Sequence, residues 1–572
     1  MSSIERIRWF LGELRRVKSG LAGFILLFTL IGLTLAFPLL ANPQDIANWS
    51  GHAKYWEEKM LPRLAPPAWI NYVSPVKYPV TRDLHKVYVS KPLVLNMSNN
   101  KDLLKYLKLM NPKIAKAVEK LPKTQRAAIL NALRKNLNFK YLVFKEVTVV
   151  YNFKADVPPK NLITILKLGP IYMTKGLIQG IDILWTRPDG ITISLLPGGS
   201  TNLTNPFNLN NYAQLNSGSV LNALNIEPQK IYLKNGQVAL YIPPGTTVRF
   251  SLYDYIASLL NQNNPALISQ VFGPLLSRLN ISSVSSIYAP PMLFIMSKLE
   301  KGMINGTAPV LKGTYKLTFA MLIKVPKKPA NIGMPQLTVT RARVLGVYGI
   351  IGTDVHGRDL WPALLYGLRW ALIVGISVAV ISTLIGVFYG VISGYLGGYA
   401  DTIMTRIAQI VYSLPVLPLL IMLSYFFGPS IWHVIIILIA FGWSGLVFTV
   451  RSMVLQIKEN LYVEAARAIG ASSWRIIFKH VFPQVLPYTF ASMALSVPGA
   501  ILAEAGLSYL GLGDPNIVTW GKILHDAHAN GAVLKGAWWW VIPPGLGIAI
   551  VGMTFVFIGY ALDRILNPRL IR

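Results

Sequence analysis

The sequence predicts an α-helical polytopic membrane protein, with six membrane-crossing helices and an α+β extracellular domain inserted between helices 1 and 2. Three observations carry this. Of 572 residues, 53% are hydrophobic and only 14% charged, against about 25% charged in a soluble chain. Apolar runs long enough to cross a bilayer occur once near the start and repeatedly after residue 370, with none between. The stretch 41–343 holds 37 of the 55 Lys/Arg but only 13 of the 24 Asp/Glu, so +24 of the net +31 lies in one hydrophilic block.

The first apolar run, 21–40, follows Arg6, Arg8, Arg15, Arg16 and Lys18. Its roughly 20 residues span the hydrocarbon core, and the basic flank places the N-terminus in the cytoplasm. A cleaved signal peptide is the alternative, but its apolar region would be about 7–15 residues. Further spans fall near 370–393, 407–427, 431–450, 486–510 and 540–562. Six crossings put both termini inside. The loop with Arg451, Lys458, Arg467, Arg475 and Lys479 is then also inside, as the positive-inside rule asks. Long translocated domains escape that rule, so the basic block is expected outside. The expected division is 1–40 (N-terminus and first helix), 41–345 (extracellular domain) and 346–572 (helices 2–6), in the plasma membrane.

Within the block, 99–137 carries Leu103, Leu107, Ile114, Val118 and Leu121 at helical spacing. Segments 147–153 and 317–325 are β-branched and aromatic, which suits strands. Asp189-Gly190 and Asn235-Gly236 read as hairpin turns. The stretch 252–276 reads as helix and 326–335 as a proline-stiffened linker. Five glycosylation sequons, at Asn48, Asn96, Asn202, Asn280 and Asn305, all fall in the block. The chain has no cysteine, so disulfides and thiolate metal ligation are excluded. Hung between apolar spans, the positive charge points to anionic headgroups, glycans or an acidic partner protein, not nucleic acid.

The most informative segment is Glu464-Ala465-Ala466-Arg467-Ala468-Ile469-Gly470, in the loop between the fourth and fifth spans. Two small residues let another backbone come close. Gly470 suits the left-handed position that ends a helix, and Ser472 suits the cap of the next. On these grounds alone it is a helix-turn-helix at a membrane surface. With the closing Pro483, it resembles the EAA motif of ABC importer permeases, although His480 and Phe482 replace the motif's Ile and Leu. Gly352-Thr-Asp-Val-His-Gly-Arg-Asp359, Leu365-Tyr-Gly367, Gly394-Tyr-Leu-Gly-Gly398 with Asp401, 503–513 with Trp520-Gly521, and the tail 562–569 resemble the C-type subunit of the dipeptide/oligopeptide/nickel branch. The resemblance covers residue 352 to the C-terminus and does not reach 41–343.

That resemblance implies the type I ABC importer fold and a coupling helix within 458–482. Glu464, Ala465, Ala466, Arg467 and Gly470 would engage an ATPase subunit, with Glu464 as polar anchor and Gly470 as hinge. It also implies a second homologous permease as heterodimer partner, two ABC ATPase subunits and an extracellular substrate-binding protein. ATP and Mg would be held by the ATPases, since this chain has no phosphate-binding G-x-x-x-x-G-K-[ST] loop. Di- and oligopeptides are the default substrate, oligosaccharides the alternative. A membrane-anchored extracellular enzyme is a rival reading, but the block has no H-E-x-x-H or G-x-S-x-G.

Four further groups stand out. Gly386, Gly390, Gly394 and Gly398 form a four-residue stripe for close helix packing or for sliding. Glu504 and Pro498 are candidates for the pathway or gate, with a structural hydrogen bond the alternative for Glu504. His525-Asp526-Ala527-His528 lacks the ligands a metal site needs, so no metal is assigned. Trp538–Trp540 are expected to anchor the last span at the membrane interface.

Overall fold

The structure is a computed structural model. It describes residues 13–566 except 15–16, 174–179, 197–212, 215–220, 222–223, 225, 233–237, 263, 282–286, 301 and 327–333. The chain divides into two compact units, Met1–Pro67 with Gly349–Arg572, and Ala68–Tyr348.

The first unit is built from α1 (Lys18–Leu35), α2 (Leu360–Leu396), α3 (Gly398–Ser413), α4 (Val416–Phe427), α5 (Ile431–Gly442), α6 (Ser444–Ile457), α7 (Leu461–Ala468), α8 (Phe482–Tyr509), α9 (Trp520–Ala529) and α10 (Trp538–Leu566). Five stretches are long and apolar enough to cross a membrane: α1, α2, 431–457, 473–509 and α10. A sixth exists if α3 and α4, bent by 75°, are one span. The break has a local cause. Pro415 bars the preceding residue from helical geometry, and Leu414 takes an extended backbone, φ −73°, ψ 128°. Helix α2 is the hub, packing on α5, α6 and α8, while α1 packs along α10.

Residues 41–67, expected in the inserted domain, fall within this first unit. Two short helices there, Pro43–Ala47 and Ala53–Lys59, lead to a chain hydrogen-bonded to the segment preceding α2. Leu64 N donates to Asp354 O at 2.7 Å, and Thr353 N donates to Ala65 O at 2.9 Å.

The second unit carries fourteen described strands: β1 (Arg82–Asp83), β2 (Val87–Val89), β3 (Leu93–Asn96), β4 (Phe139–Phe153), β5 (Asn161–Gly169), β6 (Ile171–Met173), β7 (Gly180–Thr186), β8 (Thr192–Ser194), β9 (Ala213–Gln214), β10 (Gln229–Tyr232), β11 (Val238–Ile242), β12 (Thr246–Ser251), β13 (Gly313–Pro326) and β14 (Gln336–Leu345). They form sheets ordered β2-β4-β13-β7-β8, β1-β14-β5-β12 and β10-β11-β6. The segments read as strands lie at its centre, Val147 pairing with Phe319 and Tyr151 with Tyr315. Alternating apolar side chains of β4, β5, β7, β12 and β13 form one core with the helices Leu252–Asn261 and Pro265–Arg278. The region 99–137 folds as three helices, Asn100–Met110, Pro112–Glu119 and Lys123–Asn136. Asn111, before Pro112, separates the first two.

Asp189-Gly190 makes the β7–β8 turn, while Asn235-Gly236 lies outside the described residues. The expected linker 326–335 begins at the end of β13; 327–333 are outside the described residues, and the chain then returns to a sheet as β14. The incoming and outgoing chains of the unit are joined: Val347 N donates to Pro79 O at 2.8 Å and Thr81 N to Val347 O at 3.0 Å.

Candidate functional site

Within α7, Val463 and Ala466 lie three residues apart on one face. They are buried in an apolar cluster with Val387, Val391, Val450, Val454 and Ile476. Glu464, Ala465 and Arg467 are on the exposed side. Gly470, at φ +83°, ends the helix with a paired stop: its N–H donates to Arg467 O at 3.0 Å, and Ala471 N–H donates to Ala466 O at 3.1 Å. A Cβ on Gly470 would meet nothing within 4 Å, so backbone geometry alone favours glycine there. Ser472 Oγ then accepts from Arg475 N at 3.4 Å, capping the next turn.

A π-helical turn, Ile477–Val481, leads into α8. The two residues that depart from the motif pack well: Phe482 stacks on Phe388 at 5.2 Å, and the His480 ring lies 6.4 Å from Tyr462. Alongside the exposed Glu464 and Arg467, several apolar side chains around α7 are also exposed, Leu461 at 82% and Ile469 at 86%, beside Trp474.

A polar clamp ties the neighbouring helix ends. Asp401 on α3 accepts from Arg451 Nε at 2.6 Å and Nη2 at 2.5 Å, and from Ser393 Oγ on α2 at 2.5 Å. A bidentate pair of this type fixes orientation as well as distance. Asp401 and Arg451 lie 50 residues apart in the chain, and the fold brings them together.

Three glycines of the stripe explain how α2 and α6 approach. A Cβ on Gly386 would lie 2.6 Å from Trp443 O, one on Gly390 2.9 Å from Val450 Cβ, and one on Gly394 3.0 Å from Arg451 O. Gly398 does not join this face. It lies beyond the C-cap of α2, at φ +55°, with open space where a Cβ would be.

Glu504 is buried in α8. It accepts from Ser508 Oγ at 2.6 Å and hydrogen-bonds the side chain of Thr519, the N-cap of α9. Both partners belong to this chain, so Glu504 ties α8 to α9. Pro498 lies on α8 facing α10, where a Cβ on Gly552 would come within 3.6 Å.

Arg358 organises the segment before α2, a role that sequence reasoning missed. Its buried guanidinium donates to Asp354 (Nε, 2.5 Å), Asp526 (Nη2, 2.9 Å) and Trp49 O (Nη1, 3.2 Å), and stacks 4.3 Å from a Trp49 ring. Nearby, Asp45 is buried against Tyr55 and Lys59. Asp359, the N-cap of α2, is pushed up to about 6 by burial, with the Asp45 charge adding to the effect and Lys59 opposing it.

Of the histidine pair, His525 Nδ1 lies 2.8 Å from Tyr509 O and His528 packs on the Tyr509 ring. Asp526 is engaged by Arg358. Trp539 and Trp540 are buried in the protein, Trp539 Nε1 donating to Thr353 O at 3.1 Å. Of the three, Trp538 alone keeps substantial exposed surface, while Trp539 lies against the loop before α2, where a Cβ on Gly352 would come 2.8 Å from its Cδ1. Among the sequon residues, Asn280 and Asn305 are exposed, Asn48 and Asn96 half-buried, and Asn202 outside the described residues.

A family model described as binding-protein-dependent transport system inner membrane component matches residues 386–572. The dipeptide transport system permease protein DppC of Bacillus subtilis is 40% identical over 222 residues, covering 39% of this chain and 69% of that protein. The chain belongs to this permease family. Two further permease relatives agree. The oligopeptide transport system permease protein OppC of Haemophilus influenzae is 40% identical over 223 residues, 39% of this chain and 71% of its own length. A putative peptide transport system permease protein of Brucella suis is 33% identical over 292 residues, 49% of this chain and 97% of its own. The permease match takes in the glycine stripe, the Asp401–Arg451 clamp, α7 and Glu504. The Ala68–Tyr348 unit lies outside the range of the family model, 386–572.

Proposed function

We propose that this chain is one permease half of an ATP-driven importer of di- and oligopeptides. It pairs with a second, homologous permease, two ABC ATPases and an extracellular binding protein. The observation that carries the coupling role is α7: a short helix anchored by Val463 and Ala466, offering Glu464 and Arg467 amid exposed Leu461, Ile469 and Trp474. That surface suits a partner groove, and the glycine stop sets the angle at which the next turn leaves. Peptide substrates follow the names of the relatives. Both termini are cytoplasmic in this reading, and the Ala68–Tyr348 unit is extracellular, its positive charge steering the binding protein.

Reconstitution tests the reading. Vesicles containing this chain, its partner permease and the ATPases should take up a labelled tripeptide only with ATP and binding protein present. The chain alone should not hydrolyse ATP. Peptide uptake by a homodimer of this chain would overturn the pairing. Excising 68–348 tests the docking role while keeping Trp49 and Lys59 in place. Unchanged uptake and an unchanged salt dependence would remove that role.

A further inference from the structure

In the second unit, the chain 77–87 runs beside 149–156 of β4 and its extension, fastened at both ends. Val150 N donates to Lys86 O at 3.0 Å, and Asp156 N donates to Lys77 O at 2.8 Å. Between these fastenings the strands part. Residues 79–84 turn to the other sheet, Thr81 N donating to Val347 O, Leu84 N to Ala342 O, and Arg82 pairing with Val344. In an antiparallel ladder alternate N–H groups face the same side. Those of Asn152 and Lys154 therefore face the gap, and neither has a partner among the described residues. The result is a cleft of about 520 Å³ with an open strand edge along one wall.

Its lining is cationic. Lys77, Arg82 and Lys154 line it together with Tyr151 and Asn152, and no carboxylate does. The Arg82 guanidinium and Lys154 ammonium are exposed and pair with no acid among the described residues. Lys77 Nζ donates only to carbonyls, of Asn71 at 2.6 Å and Ser74 at 3.4 Å. Asp156, which follows the lining residue Ala155, is already held by Lys77 N at 2.9 Å and Lys312 Nζ at 2.6 Å. Tyr151 is 3% exposed and contributes to the wall of the cleft. An aligned pair of free N–H groups and two cations without an acid partner among the described residues call for a ligand with an extended backbone and a negative end.

We propose that this cleft binds the carboxylate end of a short extended peptide. The peptide backbone adds to the β4 edge at Asn152 and Lys154, while Arg82 and Lys154 hold the carboxylate. The cleft volume falls in the range of small-ligand sites, about 300–1,000 Å³. The identity of the ligand as a peptide rests on the peptide-import reading; the anionic end follows from the lining alone. The site gives the Ala68–Tyr348 unit a task of its own, retaining peptide on a unit that the family model's match, 386–572, does not reach.

The test is calorimetric titration of the full chain in lipid nanodiscs with tri-alanine, its C-terminal amide and inorganic phosphate. Tri-alanine should bind saturably, and the amide about tenfold or more weaker, because a charge-assisted hydrogen bond is lost. Arg82→Gln and Lys154→Gln should each weaken tri-alanine by about tenfold without shifting the melting temperature, since both side chains are exposed. Equal binding of acid and amide overturns the proposal, as does binding that survives both substitutions. Phosphate binding as tightly as tri-alanine makes this an ion site and also overturns it. Binding intact in an assembled importer that moves no peptide sinks the import reading alone. Peptide uptake with no binding at the cleft sinks this proposal alone.

Discussion

Replacing Gly470 by valine isolates the backbone contribution of the α7 stop. The residue holds φ +83° and a new Cβ would meet nothing within 4 Å, so steric crowding adds no cost. What remains is the left-handed conformation, unfavourable by about 1–2 kcal/mol for an L-residue and at the upper end or beyond for a β-branched one. About 2 kcal/mol corresponds to roughly a thirtyfold loss in the population of the stopped conformation. The two hydrogen bonds of the stop, Gly470 N to Arg467 O and Ala471 N to Ala466 O, are worth about 0.5–1.5 kcal/mol each, so they do not comfortably hold valine in place. Asparagine visits this region far more readily, and Gly470→Asn should cost under about 1 kcal/mol. The assay is the ratio of peptide transported to ATP hydrolysed in reconstituted vesicles, with membrane insertion as control. Valine should insert normally and lower the ratio several-fold, and asparagine should stay near wild type. If valine couples like wild type, or asparagine is as damaging as valine, the stop does not set the coupling geometry.

Two further outcomes follow from the first unit. Asp359 titrates near 6 because burial disfavours its charge. Its stabilising contribution is full below the ordinary carboxylate value near 4 and is lost as pH rises through 6, at most about 3 kcal/mol. Asp359→Asn, which can still cap α2, should raise the melting temperature at pH 7.5 more than at pH 4.5; an unchanged pH slope would assign the dependence elsewhere. Gly390→Ala places a Cβ 2.9 Å from Val450 Cβ and 3.0 Å from Val447 O, neither of which can be trimmed by an alanine at 450, and should cost about 1–3 kcal/mol. Gly499→Ala, with open space around it, is the control, and equal melting of Gly390→Ala and Gly499→Ala would refute the packing argument.

Local signals in the sequence located what is local in the fold. Apolar runs found every long span, the glycine–serine pairing at 470 and 472 marked the end of α7 and the start of the next turn, and β-branched runs found the central strands β4 and β13. Hydropathy could not show the bend between α3 and α4, although Pro415 offered the signal. The boundary placed at residue 41 came from loss of hydrophobicity, whereas 41–67 join the first unit through hydrogen bonds and Trp49, which composition does not register. A four-residue repeat put Gly398 among the packing glycines, but periodicity cannot see that α2 has already ended. Trp539 and Trp540 likewise follow a sound rule for membrane interfaces that burial by the protein's own loops overrides. Arg358 with Asp526, and Arg82 with Lys154 across the cleft, are meetings of residues distant in sequence, and only the three-dimensional chain path reveals them.

The two units are each fastened at their shared boundary, at Leu64–Ala65 with Thr353–Asp354 in one and at Pro79–Thr81 with Gly346–Val347 in the other. Each therefore closes its own chain ends with hydrogen bonds between its own strands and loops. A gene segment encoding 68–348 has the form of a cassette: it can be gained, lost or exchanged in a single recombination event while the reading of both folds survives. Selection can then reshape the surface charge of residues 68–348 independently of the helices of the first unit.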